Sequence, residues 1–148
     1  MADEAKNIVL LGNQGDPVEV IVDETAAAIA KGTLMQLSSS PKTCTKTSGA
    51  GQLFMGILNE EKTTTDGKTK VSVITHCLAD LQCGAAETMT LNYPVITGAV
   101  ANEVTVNPGG AGYDEVENRM KIVGIAQETV GVGGAGTVLI NVGTRRYM

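Results

Sequence analysis

The spacing of apolar residues constrains this chain most. Short runs rich in Val, Ile, Leu and Thr recur at Val18–Val22, Thr33–Leu37, Leu53–Leu58, Lys70–Thr75, Glu87–Leu91, Glu103–Val106, Lys121–Ala126 and Thr137–Val142. Gly, Asn, Asp and Pro punctuate them. Lys70–Thr75 alternates cleanly, as a strand does when successive side chains point to opposite faces. Regular short strands between turn signals predict an all-β chain, a sandwich or a small barrel. Asp66-Gly67 marks a hairpin, since Gly supplies the positive φ of a tight turn. Helical periodicity is nearly absent. Glu24–Lys31, closed by Gly32, is open to two readings: one or two helical turns, or a loop.

The chain also repeats itself. Met55-Gly56-Ile57-Leu58-Asn59-Glu60 matches Val123-Gly124-Ile125-Ala126-Gln127-Glu128. Each copy leads through a turn-forming stretch into an alternating strand. Upstream, Gly32 and Gly98 each open a strand that runs toward a Gly-Ala-Gly segment, Gly49–Gly51 or Gly110–Gly112. The expected organisation is an extended N-terminal arm over 1–17 and one β domain over 18–148. Within that domain, two related units are expected at about 30–78 and 96–143. Gly56 and Gly124 sit inside their strands, where glycine marks a bend, a bulge or close approach of another backbone.

With 148 residues, the chain has the length of about one domain. No Trp, one Phe and three Tyr leave the core to aliphatic side chains and Met. Net charge is −5, and no cluster of Lys and Arg invites a phosphate backbone, so no nucleic-acid partner is expected. Three Cys (Cys44, Cys77 and Cys83) is an odd count, which fits a reducing compartment better than a disulfide framework. The N-terminus does not read as a signal peptide. No apolar stretch is long enough for a membrane-spanning helix.

Candidate chemistry is sparse. His76, Cys77 and Cys83 lie close in sequence, but adjacent residues on a strand face opposite ways, which argues against a metal site or a nucleophile–base pair. Gly131–Gly136 lacks the Lys-Ser/Thr of a phosphate loop and is followed by a strand instead of a helix. The pairs Asp3-Glu4, Glu60-Glu61 and Asp114-Glu115 read as solvated turn residues. No catalytic residue, metal or cofactor is expected, and the chain is not expected to be an enzyme.

One series of segments carries a resemblance. It runs Gly15-Asp16-Pro17-Val18-Glu19-Val20, Lys31-Gly32-Thr33-Leu34, Phe54-Met55-Gly56-Ile57, Lys121-Ile122-Val123-Gly124-Ile125-Ala126-Gln127-Glu128 and Gly136-Thr137-Val138-Leu139-Ile140-Asn141-Val142. In order and texture it resembles the head decoration (cement) proteins of tailed bacteriophages. The resemblance implies a β-barrel or β-tulip-like domain on the outer capsid surface of a virion, made in the host cytoplasm. It implies a homotrimer that clamps neighbouring subunits of the major capsid protein, with an arm pairing to capsid strands. The apolar run Ile8, Val9, Leu10 and Leu11 is the candidate for that strand addition. Other virion parts (a head fibre, a tail tube or an adhesin module) stand as the alternative. A small ligand-binding β module of the biotinyl type would need a Lys in a tight hairpin flanked by Met, which this chain lacks.

Overall fold

A computed structural model describes residues 4–8, 17–22, 27–106 and 121–142, with the backbone alone described at residues 7 and 8. It is all-β, and no helix occurs among the described residues. The strands are β1 (Lys6–Ile8), β2 (Val18–Val22), β3 (Leu34–Leu37), β4 (Thr43–Lys46), β5 (Phe54–Leu58), β6 (Lys70–Ile74), β7 (His76–Cys83), β8 (Pro94–Thr97), β9 (Glu103–Val106), β10 (Ile122–Ala126) and β11 (Ala135–Asn141).

Strands β2-β4-β3-β5-β6 form a closed barrel. The other sheet runs β1-β7-β11-β10-β8-β9, and the pairing of β7 with β9 closes it as well. The two barrels share one topology and one register. Each closes on a short parallel pair, Ile21↔Thr43 with Val22↔Cys44 in the first and Gln82↔Glu103 with Cys83↔Val104 in the second. The β3–β5 ladder pairs Leu34↔Ile57, Met35↔Gly56 and Gln36↔Phe54, with a shift before the last pair. The β8–β10 ladder pairs Pro94↔Ile125, Val95↔Gly124 and Ile96↔Ile122, with the shift in the same place. Lone bridges recur too, Ile29↔Lys62 and Met89↔Val130. Positive φ returns at matched turns, at Gly32 and Asn92 and at Lys42 and Asn102. Strand pairing therefore draws the units at 18–74 and 76–142, each beginning one strand earlier than the sequence likeness at 30–78 and 96–143.

The glycines explain the shared corner. At Gly56 φ is +148°, and a Cβ there would lie 2.6 Å from the Ile74 carbonyl oxygen. At Gly124 a Cβ would lie 2.6 Å from the Leu139 carbonyl oxygen and 2.3 Å from Val138 Cγ1. Ile74 and Leu139 are themselves counterparts, paired with Ile57 and Ile125. At both corners the strand bends until its neighbour's backbone occupies the space of a side chain.

Each barrel has a filled interior. Val20, Val22, Met35, Leu58, Val71 and Val73 are buried inside the first. Ala79, Leu81, Val95, Val123, Val138 and Ile140 are buried in the second. That second cluster also takes in Leu34, Phe54, Ile57 and Ile74, which project outward from the first barrel. The second barrel thus sits with one end on the outer wall of the first. Full burial of such a side chain is worth roughly 1.5–3 kcal/mol, so separating the barrels is costly. A buried polar latch completes the junction. Leu34 N–H donates to Asn102 Oδ1 at 3.0 Å, and Asn102 N–H to Thr47 Oγ1 at 3.4 Å. The Thr97 hydroxyl donates to the Gly49 carbonyl and accepts from Gln52 N–H, both at 2.9 Å.

One open reading is decided for the loop, and one expected strand is not formed. Ala27–Lys31, in the run read as helix or loop, is not helical, and Ile29 is buried and exchanges both backbone hydrogen bonds with Lys62. Glu24–Ala26 lie outside the described residues. Glu87–Leu91 is not a strand but carries the single bridge at Met89.

Candidate functional site

Cys77, Ala79, Leu81 and Cys83 alternate inward along β7, while His76 points out and is exposed. The His76-Cys77 pair is therefore split across the sheet, as strand geometry requires. Burial pushes the thiols of Cys44, Cys77 and Cys83 up to about 11. None of the three is in a disulfide and all are buried, the setting of packing residues rather than nucleophiles. Among the described residues no group of His, Cys, Asp and Glu could hold a metal ion.

Two ion pairs of the described residues belong to the β5–β6 turn. Asp66 accepts from Thr63 N–H at 2.7 Å and Lys68 N–H at 2.9 Å, closing the turn at Gly67. The Lys68 ammonium donates to Glu60 at 3.0 Å and holds that carboxyl below its ordinary 4.5. Ser72 N–H reinforces this at 2.8 Å. Hydrogen bonds from Lys68 N–H and Thr63 N–H lower Asp66 likewise, from 3.8. Both carboxyls are more acidic folded than unfolded, so their stabilisation is present above the unfolded values. It is lost as pH falls through the folded ones. Glu60→Gln is expected to flatten the decline of thermal stability below about pH 4.5, measured by melting temperature across an acid series.

Lys62 is the unusual member of this turn. Its side chain is 1% exposed, 3.6 Å from Asp66 Oδ1, and donates to the Thr63 carbonyl at 3.3 Å. Its counterpart in the second barrel is the apolar Val130, so the position does not need a charge to fold. Lys62→Met is expected to leave the melting temperature unchanged or raise stability by up to about 1 kcal/mol. Asp66→Ala, which leaves the buried ammonium only the Thr63 carbonyl and removes the acceptor of two turn N–H groups, is expected to lower the melting temperature. Thermal melts of both variants check this.

The described surface offers two features suited to binding another protein. The first is an apolar row straight across the outer wall of the second barrel. Leu78 pairs with Leu139, Leu139 with Ile125, and Ile125 with Pro94. Leu139 is 36% exposed, and Leu78, Ile125 and Pro94 are half-buried. Tyr93, 51% exposed, adjoins Pro94. The second is a groove of about 450 Å³ on the first barrel, lined by Val18, Val20, Ile21, Leu37, Lys42 and Met55, among others. Val18 and Ile21 are exposed within it.

Of the run Ile8, Val9, Leu10 and Leu11, the structure describes only Ile8, the last residue of β1. It pairs with Leu78, as Lys6 pairs with Asp80. Ala5 N–H donates to the Gly32 carbonyl at 2.8 Å. Residues 5–8 thus belong to the chain's own fold and are not a free arm, because they satisfy the edge of β7. Val9, Leu10 and Leu11 lie outside the described residues. Strands β1, β4, β7 and β8 were not among the runs read from sequence. The alternation of Cys77, Ala79, Leu81 and Cys83 was the signal available for β7. No protein-family model matches the chain, and no curated protein matches it.

Proposed function

We propose that this protein decorates the outside of a viral head, binding the major capsid protein and clamping neighbouring subunits. The ordered series of segments that resembles phage decoration proteins carries this reading. Its described members fall on β2, β3 with its opening turn, the two bulged strands β5 and β10, and β11. The apolar row and the groove add exposed surface of the kind that binds protein. A shell presents many copies of a site, so modest single contacts sum to firm attachment. In this reading the run Val9–Leu11 continues past β1 onto a capsid strand, and copies self-associate as homotrimers. The protein catalyses no reaction and works without a cofactor.

The test is cosedimentation with expanded, empty heads of the same virus. The intact chain is expected to pellet with the heads and saturate. No binding by the intact chain overturns the proposal. Deleting 1–17 would also strip β1 from β7, so Leu10→Asp with Leu11→Asp is the cleaner probe of the arm. Undiminished binding by that variant would remove the arm alone from the proposal.

A further inference from the structure

The internal repeat shows what would cover the apolar row and fill the groove. In the first barrel, the residues corresponding to Pro94, Ile122, Ile125 and Leu139 are Leu34, Phe54, Ile57 and Ile74. The first-barrel set is 0–2% exposed, because the end of the second barrel rests on it. The second barrel keeps all four positions apolar although Leu139 is 36% exposed and Pro94, Ile122 and Ile125 are only half-buried. The groove is the opposite half of the same relation. Leu37, Lys42 and Met55 line it, and they correspond to Thr97, Asn102 and Val123, which stand at the end of the second barrel that meets the first.

From this we infer that copies of the chain associate head to tail, the grooved end of one copy's first barrel seating on the outer wall of the next copy's second barrel. The contact repeats between molecules the one that joins the barrels within a molecule. The polar residues have changed in matched fashion on both faces. Within the chain, Leu34 N–H needs the Asn102 amide oxygen. At the corresponding place between copies, Pro94 has no N–H to satisfy. The residue brought opposite is Lys42, which carries no side-chain acceptor. Thr97 is likewise replaced by Leu37. The wall thus presents no unmet N–H at Pro94, and the Lys42 ammonium, which Pro94 cannot pair, has to reach water or Glu19, which lines the same groove.

Such a contact uses different surfaces on the two partners, so repetition gives a closed ring or an open filament according to its rotation. The inference deepens the self-association in the proposed function, and three copies in a ring would place six like barrels around one axis. It needs no shell for its test, so its failure would leave capsid binding untouched, and the reverse also holds.

The experiment is light scattering after size exclusion, on the purified full chain at about 100 µM, where micromolar contacts are populated. The wild type is expected as an oligomer. Leu139→Glu blocks the wall and Val18→Glu blocks the groove. Each is expected to raise the concentration needed for association at least tenfold, with unchanged thermal melts. An equimolar mixture of the two is expected to form a discrete dimer, through the one intact wall and the one intact groove. A monomeric wild type overturns the inference. So does a mixture that stays monomeric, or a groove-blocked variant that still assembles like the wild type. Ile125→Lys and Lys42→Glu serve as a second wall and groove pair should either first variant fail to fold.

Discussion

Alanine at Gly124 is expected to destabilise the protein by about 3–4 kcal/mol. The added methyl would lie 2.3 Å from Val138 Cγ1, 2.6 Å from the Leu139 oxygen and 3.1 Å from the Leu139 carbonyl carbon. The valine can rotate, but the backbone of β11 cannot retreat without loosening the β10–β11 ladder from Gly124↔Ile140 to Ala126↔Val138. Alanine at Gly56 is expected to be as costly, because the Ile74 oxygen stands at 2.6 Å and φ is +148°, a value that side chains rarely adopt. For a chain of this size such a loss lowers the melting temperature by roughly 10 °C. Gly67→Ala is the control. Its φ is +68° with nothing within 4 Å, so it should cost only about 1 kcal/mol of left-handed strain. Equal melts for all three would refute the corner explanation.

The second large effect is expected at Asn102, a buried residue in the left-handed region, with φ 63°. Asn102→Ala removes the acceptor of Leu34 N–H and leaves that donor buried at the junction of the barrels. The unsatisfied donor costs about 1–3 kcal/mol, and an alanine at this φ adds about 1 kcal/mol. Asn102→Gly keeps the backbone and loses only the amide, so its deficit isolates the hydrogen bond. Denaturant midpoints should rank wild type above Asn102→Gly and Asn102→Gly above Asn102→Ala. A glycine variant as stable as wild type would show that the latch contributes nothing.

The two glycine corners explain why much of this fold was legible. Gly56 and Gly124 stand in matched contexts, and at both a neighbouring strand's carbonyl oxygen lies where a side chain would begin. The runs at β2, β3, β5, β6, β9, β10 and β11 were readable because their interior positions carry Val, Ile, Leu and Met. Strand β7 was harder. Its inward positions are Cys, Ala, Leu and Cys, small side chains with weak contrast to Asp80 and Gln82 between them. Strand β8 opens on Pro94, which reads as a break until Val95 and Ile96 are seen paired on both edges. The apolar row could not be read from sequence, because Leu78, Pro94, Ile125 and Leu139 come from four strands. Register alone brings them together, and register is a tertiary property. The groove was hidden likewise, since Val18 and Leu37 look like ordinary core residues until the end of the barrel is seen.

The parallel closures carry a consequence for how the molecule opens. Each barrel is a run of antiparallel neighbours sealed by only two residue pairs, between β2 and β4 or between β7 and β9. No ladder of either barrel is shorter, although β5–β6 in the first barrel also has only two pairs. The slanted parallel pairing is slightly weaker per residue, so breathing of the native state should begin at the parallel seam. In the second barrel β1 lies along the same edge of β7, at Leu78–Asp80, just before the seam. The first barrel has no such brace among its described residues. Cys44 faces Val22 across its seam, and Cys83 faces Val104 across the other. The chain thus contains two internal clocks: thiol labelling in the native state should reach Cys44 well before Cys83, and the ratio of the two rates measures how much the short N-terminal strand braces the barrel it lies against.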